Sequence, residues 1–361
     1  MSSRDRVRLV VLFGGRSAEH EVSCTTAAHV LQAADPERYE IVPVGITREG
    51  EWVRSDDALA ALARGTAEFP GKVTAAGTAV EPLPTVTPAT TDDLPVVVLP
   101  LLHGPQGEDG TVQGMLELAG VPYVGAGVLS SALCMDKLKA KEVTAANGIP
   151  QTPWIGLRDS ELADAAARTA AAGLAYPLFV KPATLGSSVG ITKVHGPDEL
   201  GPALALAAEY DEWLVVEQGV EGGREIEVAV LGNQEPRASL PGEIVPGGEF
   251  YDYEDKYVDG TSEGLIPAPL SEEATAEVRR LAVESYEALR CEGMARVDFF
   301  YQEDGAGFLL NEINTIPGFT PISMYPKMWE ATGLGYSDLV DELVRLAVER
   351  HERRSRFSTK R

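Results

Sequence analysis

The chain has 361 residues, 44% of them hydrophobic and 24% charged, and carries a formal net charge of −24. That length predicts two or three domains, each large enough for its own core. The charge argues against a nucleic-acid partner, which needs a basic surface, but leaves room for a local basic pocket. Three cysteines, Cys24, Cys134 and Cys291, share no close spacing, which predicts buried thiols in a reducing cytoplasm rather than a disulfide framework or a zinc site. The apolar run 9–13 is too short for a signal-peptide core, and run 95–102 falls far below a membrane span, so a cytoplasmic protein with no membrane partner is expected.

In chain order, 9–13 reads as a strand, Gly14-Gly15 as a turn, 17–33 as a helix and 41–46 as a second strand. Strand–helix–strand order predicts a parallel sheet with crossover helices. Segment 65–93 is rich in Thr, Ala, Pro and Gly with weak periodicity, and is expected to be irregular. A strong buried strand follows at 96–101, a helix at 110–119 and a short strand at 121–124; the first domain is expected to end near Leu133. Beyond it come a helix at 137–146, a linker at 149–153, strands at 178–181 and 190–194, a helix at 199–209 and a strand at 213–217. A third region opens with a strand at 225–231 and runs through a polar, aromatic loop at 250–264 and a helix at 272–290. It closes with a helix at 337–353, where Arg350, Arg353 and Arg354 complement the dipole. No internal repeat is evident.

The most chemically informative stretch is 295–315. Two strand-like segments flank Glu303-Asp304-Gly305-Ala306-Gly307 and predict a β-hairpin. A turn centred on Gly305 sets Asp298 opposite Glu312, Arg296 opposite Asn314 and Phe300 opposite Leu310, all six on one face. Cross-strand Cβ atoms lie roughly 4.5–5.5 Å apart. Carboxylates that close repel each other, so a cation is expected between them. Two carboxylates and an amide are hard oxygen donors that suit Mg2+ bridged to phosphate.

Segment 179–191 supplies the complement. A strand ends in Lys181, a loop of small residues follows, and a second strand returns. Small residues let backbone N–H groups approach phosphate oxygens, and the lysine adds a point charge. This is not the Walker A pattern. Two strand ends carry further candidates: Glu19, whose carboxylate suits an ammonium group, and His103 after the strongest strand. The loop 250–257 is dense in tyrosine and charge and suits closure over a site. Gly125-Ala126-Gly127 after a strand weakly suggests a dinucleotide turn, with no acidic residue to support it.

Taken together, Phe13-Gly-Gly-Arg-Ser-Ala-Glu-His-Glu-Val-Ser23, His103-Gly-Pro-Gln-Gly-Glu-Asp-Gly-Thr-Val-Gln-Gly114, Met135-Asp-Lys137, Lys181-Pro-Ala-Thr-Leu-Gly-Ser-Ser-Val-Gly190, Tyr251-Asp-Tyr-Glu-Asp-Lys-Tyr257, Ala295-Arg-Val-Asp298 and Asn311-Glu-Ile-Asn-Thr-Ile-Pro-Gly318 stand in the order found in D-alanine–D-alanine ligases, of the ATP-grasp superfamily. The resemblance spans about residues 7–345. It implies an ATP-grasp fold, α/β and α+β: an N-terminal Rossmann-like substrate-binding domain at 1–133, a central subdomain with the phosphate loop at 134–224, and a C-terminal subdomain with the closing loop and Mg site at 225–361. The implied reaction joins two D-alanines through a D-alanyl phosphate, using ATP and two Mg2+ ions for which Mn2+ substitutes, in a cytoplasmic homodimer that supplies peptidoglycan synthesis.

The resemblance also implies residue roles. Asp298, Glu312 and Asn314 match the metal ligands. Lys137, Lys181 and Lys256 match phosphate-contacting lysines, with Ser187 and Ser188 in the phosphate loop. Glu217 and Gln218 fall where adenine is met and Glu225 where ribose is met, with Phe300 and Leu310 as the apolar pair beside the nucleotide. Arg296 and the backbone of Gly318 match the oxyanion donors. Glu19 matches the carboxylate that holds the first D-alanine's ammonium, and His103 lies near its carboxylate. Ser323 and Met324 match the second substrate's carboxylate site. Ser187 and Tyr257 resemble a pair linked to Glu19. The Lys256-Tyr257 loop favours a dipeptide product over the D-alanine–D-lactate ester of related ligases. Excursion 65–93 resembles the longer members and is placed toward a dimer partner. A catalytically silent nucleotide-binding protein and a nicotinamide oxidoreductase are the competing readings from other classes.

Overall fold

The computed structural model describes residues 6–75, 77–88, 94–247 and 262–358. Three sheets organise them. In the first, β1 (Val7–Gly14), β2 (Tyr39–Ile46), β3 (Trp52–Arg54), β4 (Thr78–Ala79) and β5 (Val96–Pro100) take the order β4-β3-β2-β1-β5. β1 pairs in parallel with both β2 and β5. Its residues alternate between two cores: Leu9, Val11 and Phe13 pack on one side, Val10 and Leu12 on the other. Burial on both faces explains why the strand is continuously apolar. The helix His20–Ala33 crosses over between β1 and β2, starting three residues later than the sequence suggests.

Gly14 ends β1 at φ +87°, and a Cβ there would lie 2.4 Å from the carbonyl oxygen of Ile46. Gly14→Ala is therefore expected to cost at least about 2 kcal/mol, seen as a lower denaturation midpoint.

The second sheet has four antiparallel strands, β6 (Trp154–Arg158), β7 (Leu178–Pro182), β8 (Thr192–Val194) and β9 (Trp213–Gln218), ordered β6-β9-β7-β8. β6 was not foreseen, and neither was the helix Ala165–Ala171, because their partly exposed residues and alanine run carry weak periodicity. The third sheet contains β10 (Arg224–Gly232), β11 (Arg237–Ala238), β12 (Gly242–Val245), β13 (Glu263–Leu265), β14 (Gly293–Gln302) and β15 (Gly307–Asn314). Its path is β13-β12-β10-β14-β15, with β11 beside β10.

The faces of β10 and β14 decide where the site lies. Ile226, Val228 and Val230, with Ala295, Val297 and Phe299, pack under the helix Glu272–Ala288. Ala229, Leu231 and Met294, on the opposite face, join a core shared with β1, β5 and the helices Met324–Ala331 and Tyr336–Ser355. Further along that face, Glu225, Glu227, Arg296, Asp298 and Phe300 line a cleft instead. The same strands thus serve a core and a polar site by alternation alone.

Three expectations are corrected. Segment 65–93 is not wholly irregular: its described residues include a short 3-10 turn at Thr66–Glu68, β4 and the helix Pro82–Val86. Segment 121–124 forms only a bridge, Tyr123 to Val98. Arg350 stands short of the last helical turn, which holds Arg353 and Arg354; it is buried, and its guanidinium donates to the carbonyls of Gly125 and Tyr123, the latter at 2.7 Å. Gly293 packs its backbone on Gly125: a Cβ on Gly293 would lie 2.9 Å from the Gly125 carbonyl oxygen. Cys24, Cys134 and Cys291 are free and buried, as expected. No described helix is long and apolar enough to cross a membrane.

Candidate active site

A cleft of about 410 Å3 opens between the second and third sheets. From β7–β9 it is lined by Phe179, Lys181, Lys193, Glu217 and Gln218, and from the small-residue loop by Ser187 and Ser188. Glu225, Glu227, Arg296, Asp298, Phe300, Asn311 and Glu312 line the facing wall, and Lys137 also reaches it. The structure therefore gathers most of the predicted nucleotide and metal residues into one space.

The hairpin register holds where it matters. Arg296 pairs with Asn314 and Asp298 with Glu312. A bulge then intervenes, so Phe300 faces Leu309 and not Leu310. Leu310 instead points into the core beside Phe299, and its N–H bonds the carbonyl of Pro150. The physical cause is one extra residue, Asn311, which flips the parity of the strand and turns Asn311 and Glu312 together toward the cleft.

Strand β10 adds what the hairpin alone does not show. Glu227 lies opposite Asp298, so Glu227, Asp298 and Glu312 form a row across three strands. The cation beside this row is Arg296. Its Nε and Nη2 donate to the two Asp298 oxygens at 2.8 and 2.7 Å, and Nε lies 3.2 Å from Glu227. Asn314 donates to Asp298 at 3.0 Å. Burial pulls the arginine's pKa down, but Asp298 and Glu227 more than reverse this and hold it well above its ordinary range. Among the described residues the Arg296 guanidinium thus bridges Asp298 and Glu227, with Glu312 next in the row. Among the described residues no group of three or more His, Cys, Asp or Glu side chains closes a metal site alone. The oxygen set of Asp298, Glu312 and Asn314 fits a hard divalent ion that completes its shell with phosphate or water.

The loop after β7 places Ser187 and Ser188 at φ 52° and 59°. Consecutive left-handed residues other than glycine are costly, and such backbone strain persists mainly where a loop is fixed for function. Lys137 starts the helix Lys137–Ala146, which Asp136 caps through the N–H groups of Leu138 and Lys139, and its amine donates to the carbonyl of Leu185 in that loop. Glu217 is buried at 3% exposure and pairs with Lys181 and Lys141. Gln218 accepts from the N–H of Ala175 at 3.0 Å.

A second cluster borders the cleft. A Cβ on Gly104 would meet Glu19 Oε2 at 3.3 Å and one on Gly186 would meet it at 3.9 Å, so Glu19 sits between the His103 loop and the phosphate loop. His103 is buried, and its Nε2 has no hydrogen-bond partner among the described residues. Burial keeps the imidazole pKa low, against the pull of Glu19 and of the Ile316 backbone. Glu108, partly buried, accepts from the N–H of Gly104 at 2.6 Å. Burial, then repulsion from Glu19 and more weakly from Glu312, pushes its pKa up to about 8, although the N–H groups of Gly104 and Ile316 oppose the rise. Below that value the folded protein keeps a proton that the unfolded chain releases near 4.5. Stability contributed by Glu108 therefore falls as pH rises through this window. Against Glu108→Gln, the wild type should lose roughly 3 kcal/mol between pH of about 5 and 8, read from thermal midpoints.

Gly318 and Ser323 are adjacent, since a Cβ on the glycine would lie 3.1 Å from Ser323 Oγ. Ser323 accepts from the N–H of Thr320 at 3.1 Å and precedes the helix Met324–Ala331. These residues, with Glu19 and His103, do not line the nucleotide-sized cleft itself. Lys256 and Tyr257 lie outside the described residues. Glu108, Glu227 and Asn311 are site residues that sequence reasoning does not single out; Lys141, which lies behind the cleft wall, is a buried charge it does not single out either. The alternation Glu225, Glu227 against Ile226, Val228 was a usable signal for one of them; the bulge at Asn311 had none.

Two family models cover most of the chain. The D-ala D-ala ligase N-terminus matches residues 8–126, and the D-ala D-ala ligase C-terminus matches residues 143–345. The chain belongs to the D-alanine–D-alanine ligase family. The ligase is 50% identical to the D-alanine–D-alanine ligase of Thermoanaerobacter sp. (strain X514) over 98% of this chain and 99% of the relative. It is 46% identical to that of Caldicellulosiruptor bescii, over 97% of each. Among solved structures, the D-alanine–D-alanine ligase of Coxiella burnetii superimposes with a TM-score of 0.83 at 38% identity, over 98% of this chain and 97% of that one. The VanG D-Ala:D-Ser ligase of Enterococcus faecalis gives 0.81 at 37%, over 95% and 99%. The three sheets are thus an ATP-grasp fold with its N-terminal α/β domain, and the ligase is an enzyme that uses ATP to join two D-alanines for peptidoglycan synthesis.

Proposed function

We propose that ATP lies in the cleft between the second and third sheets, with the two D-alanines between its terminal phosphate and the Glu19 cluster. The observation that carries this reading is the Glu227–Asp298–Glu312 row facing Lys181 and the Ser187-Ser188 loop across one space. The acid row suits the cations and the lysine and serine loop suits the phosphates of one metal–polyphosphate complex. Mg2+ ions, for which Mn2+ substitutes, would be held by Asp298, Glu312 and Asn314 and would neutralise the β- and γ-phosphates.

The first D-alanine's carboxylate attacks the γ-phosphorus, forming D-alanyl phosphate and releasing ADP. The second D-alanine's amine then attacks the acyl carbon, and phosphate leaves. Lys137, Lys181 and Lys256 offset phosphate charge, and the loop N–H groups near Ser187 and Ser188 orient it. Glu217 and Gln218 mark the adenine end, Glu225 the ribose, and Phe300 an apolar wall. Glu19 holds the first ammonium group, with neutral His103 beside the carboxylate. Arg296, aimed by Asp298 and Glu227, and the Gly318 N–H stabilise the oxyanion in a site from which water is excluded. Ser323 and Met324 receive the second carboxylate, and Tyr257 is assigned with Ser187 and Glu19 to the same catalytic group.

The divisions 1–133, 134–224 and 225–361 are proposed as the functional units. The enzyme is proposed to act as a cytoplasmic homodimer. Supporting this, the neighbouring helices Pro82–Val86, Thr111–Ala119 and Val128–Met135 leave Leu83, Leu118 and Leu129 exposed. The test of function is phosphate release from ATP and Mg2+ with D-alanine, L-alanine, D-serine and D-lactate as substrates. Release with D-alanine and a dipeptide product are expected; activity with L-alanine alone would overturn the reading.

A further inference from the structure

Lys141 has no role in the chemistry above, yet it is buried and charged. Its Nζ lies 2.8 Å from Glu217 Oε2, the oxygen that also accepts from Thr152 at 3.3 Å. The other oxygen, Oε1, pairs with Lys181. Side-chain exposures are 6% for Lys141, 4% for Glu217 and 11% for Lys181. Glu217 and Lys181 line the cleft, whereas Lys141 does not. One carboxylate therefore has two counter-ions: one beneath the wall, one at its surface.

The two lysines are not equivalent once a nucleotide arrives. If Lys181 turns to phosphate, Lys141 is the one counter-ion left to Glu217 among the described residues. A buried carboxylate with no counter-ion is strongly unfavourable, so without Lys141 the Lys181 amine stays bound to Glu217. We propose that Lys141 is a positioning residue for nucleotide binding, holding the charge of Glu217 so that Lys181 is free to transfer to the phosphates of ATP. The inference rests on the reading that Lys181 serves the nucleotide. The electrostatics agree in direction: burial pushes the Glu217 carboxyl up, and Lys141, followed by Lys181, outweighs it and holds the group far below the usual carboxylate range.

The test is calorimetric titration of the full-length protein with ADP and Mg2+, together with steady-state kinetics. Lys141→Met should weaken ADP binding and raise the KM for ATP by roughly tenfold or more, the scale of one lost charge-assisted bond. Its kcat and its KM for D-alanine at saturating ATP should stay within about twofold, a split that general structural damage does not give. In a Glu217→Gln background there is no charge left to hold, so adding Lys141→Met should change ADP affinity by less than about threefold. Equal losses in the two backgrounds, or wild-type ADP affinity in Lys141→Met, would overturn the proposal. Should that variant fail to fold, the Glu217→Gln pair of proteins still decides, using Lys141→Gln in the wild-type background. Undiminished ADP binding by Lys181→Met would instead refute the assignment of Lys181 on which the inference rests.

Discussion

Asp298→Asn is expected to lower ATP-dependent phosphate release with D-alanine by roughly a hundred- to a thousandfold while the fold survives. Asp298 occupies the centre of the acid row, opposite Glu227 on one side and Glu312 on the other. Asparagine keeps its size and one oxygen for the Arg296 guanidinium, but the charge that would grip a divalent ion is gone. Stability should change little, because two effects oppose. One bond of the bidentate pair is lost, costing about 1–2 kcal/mol, and repulsion among three close carboxylates is relieved. Phosphate release, a colorimetric assay, and a thermal midpoint measured side by side separate the two. Undiminished turnover would exclude Asp298 as a metal ligand.

Arg296→Leu should behave differently, losing both activity and stability. Removing this guanidinium strands Glu227 and Asp298, whose side chains are 7% and 13% exposed, without their cation. Breaking a buried pair in this way costs about 3–5 kcal/mol, because the partner charge stays behind. The denaturant midpoint should fall accordingly, and turnover should fall below detection as the oxyanion loses its charged donor. Pairing Arg296→Leu with Asp298→Asn should recover part of the stability and none of the activity. Recovery of both would show that Arg296 acts only as a structural counter-ion.

Much of this site was legible in the sequence because β-structure has period two. Asp298 opposite Glu312 and Arg296 opposite Asn314 follow from placing one turn, and both pairings occur. The same arithmetic failed two residues further on, where the bulge moved Leu310 into the core. Bulges depend on the neighbouring strand and on packing, so a single hairpin read in isolation does not reveal them. Buried charge networks are hidden for a similar reason. Lys141 lies one helical turn from Lys137 and looks like a surface lysine until β9 brings Glu217 against it. Parallel strands such as β1 and β5 were plain, since burial on both faces makes them apolar throughout. β6 was missed because an edge strand with three half-buried residues carries little pattern.

Capture of a divalent ion by the acid row together with the nucleotide is the central expectation for this site. Mn2+ binding in the presence of ADP, followed by electron paramagnetic resonance, measures this directly. Wild-type protein should immobilise the ion only when ADP is present, and both Asp298→Asn and Glu312→Gln should release it. Ion binding of wild-type strength in those two variants would contradict the account.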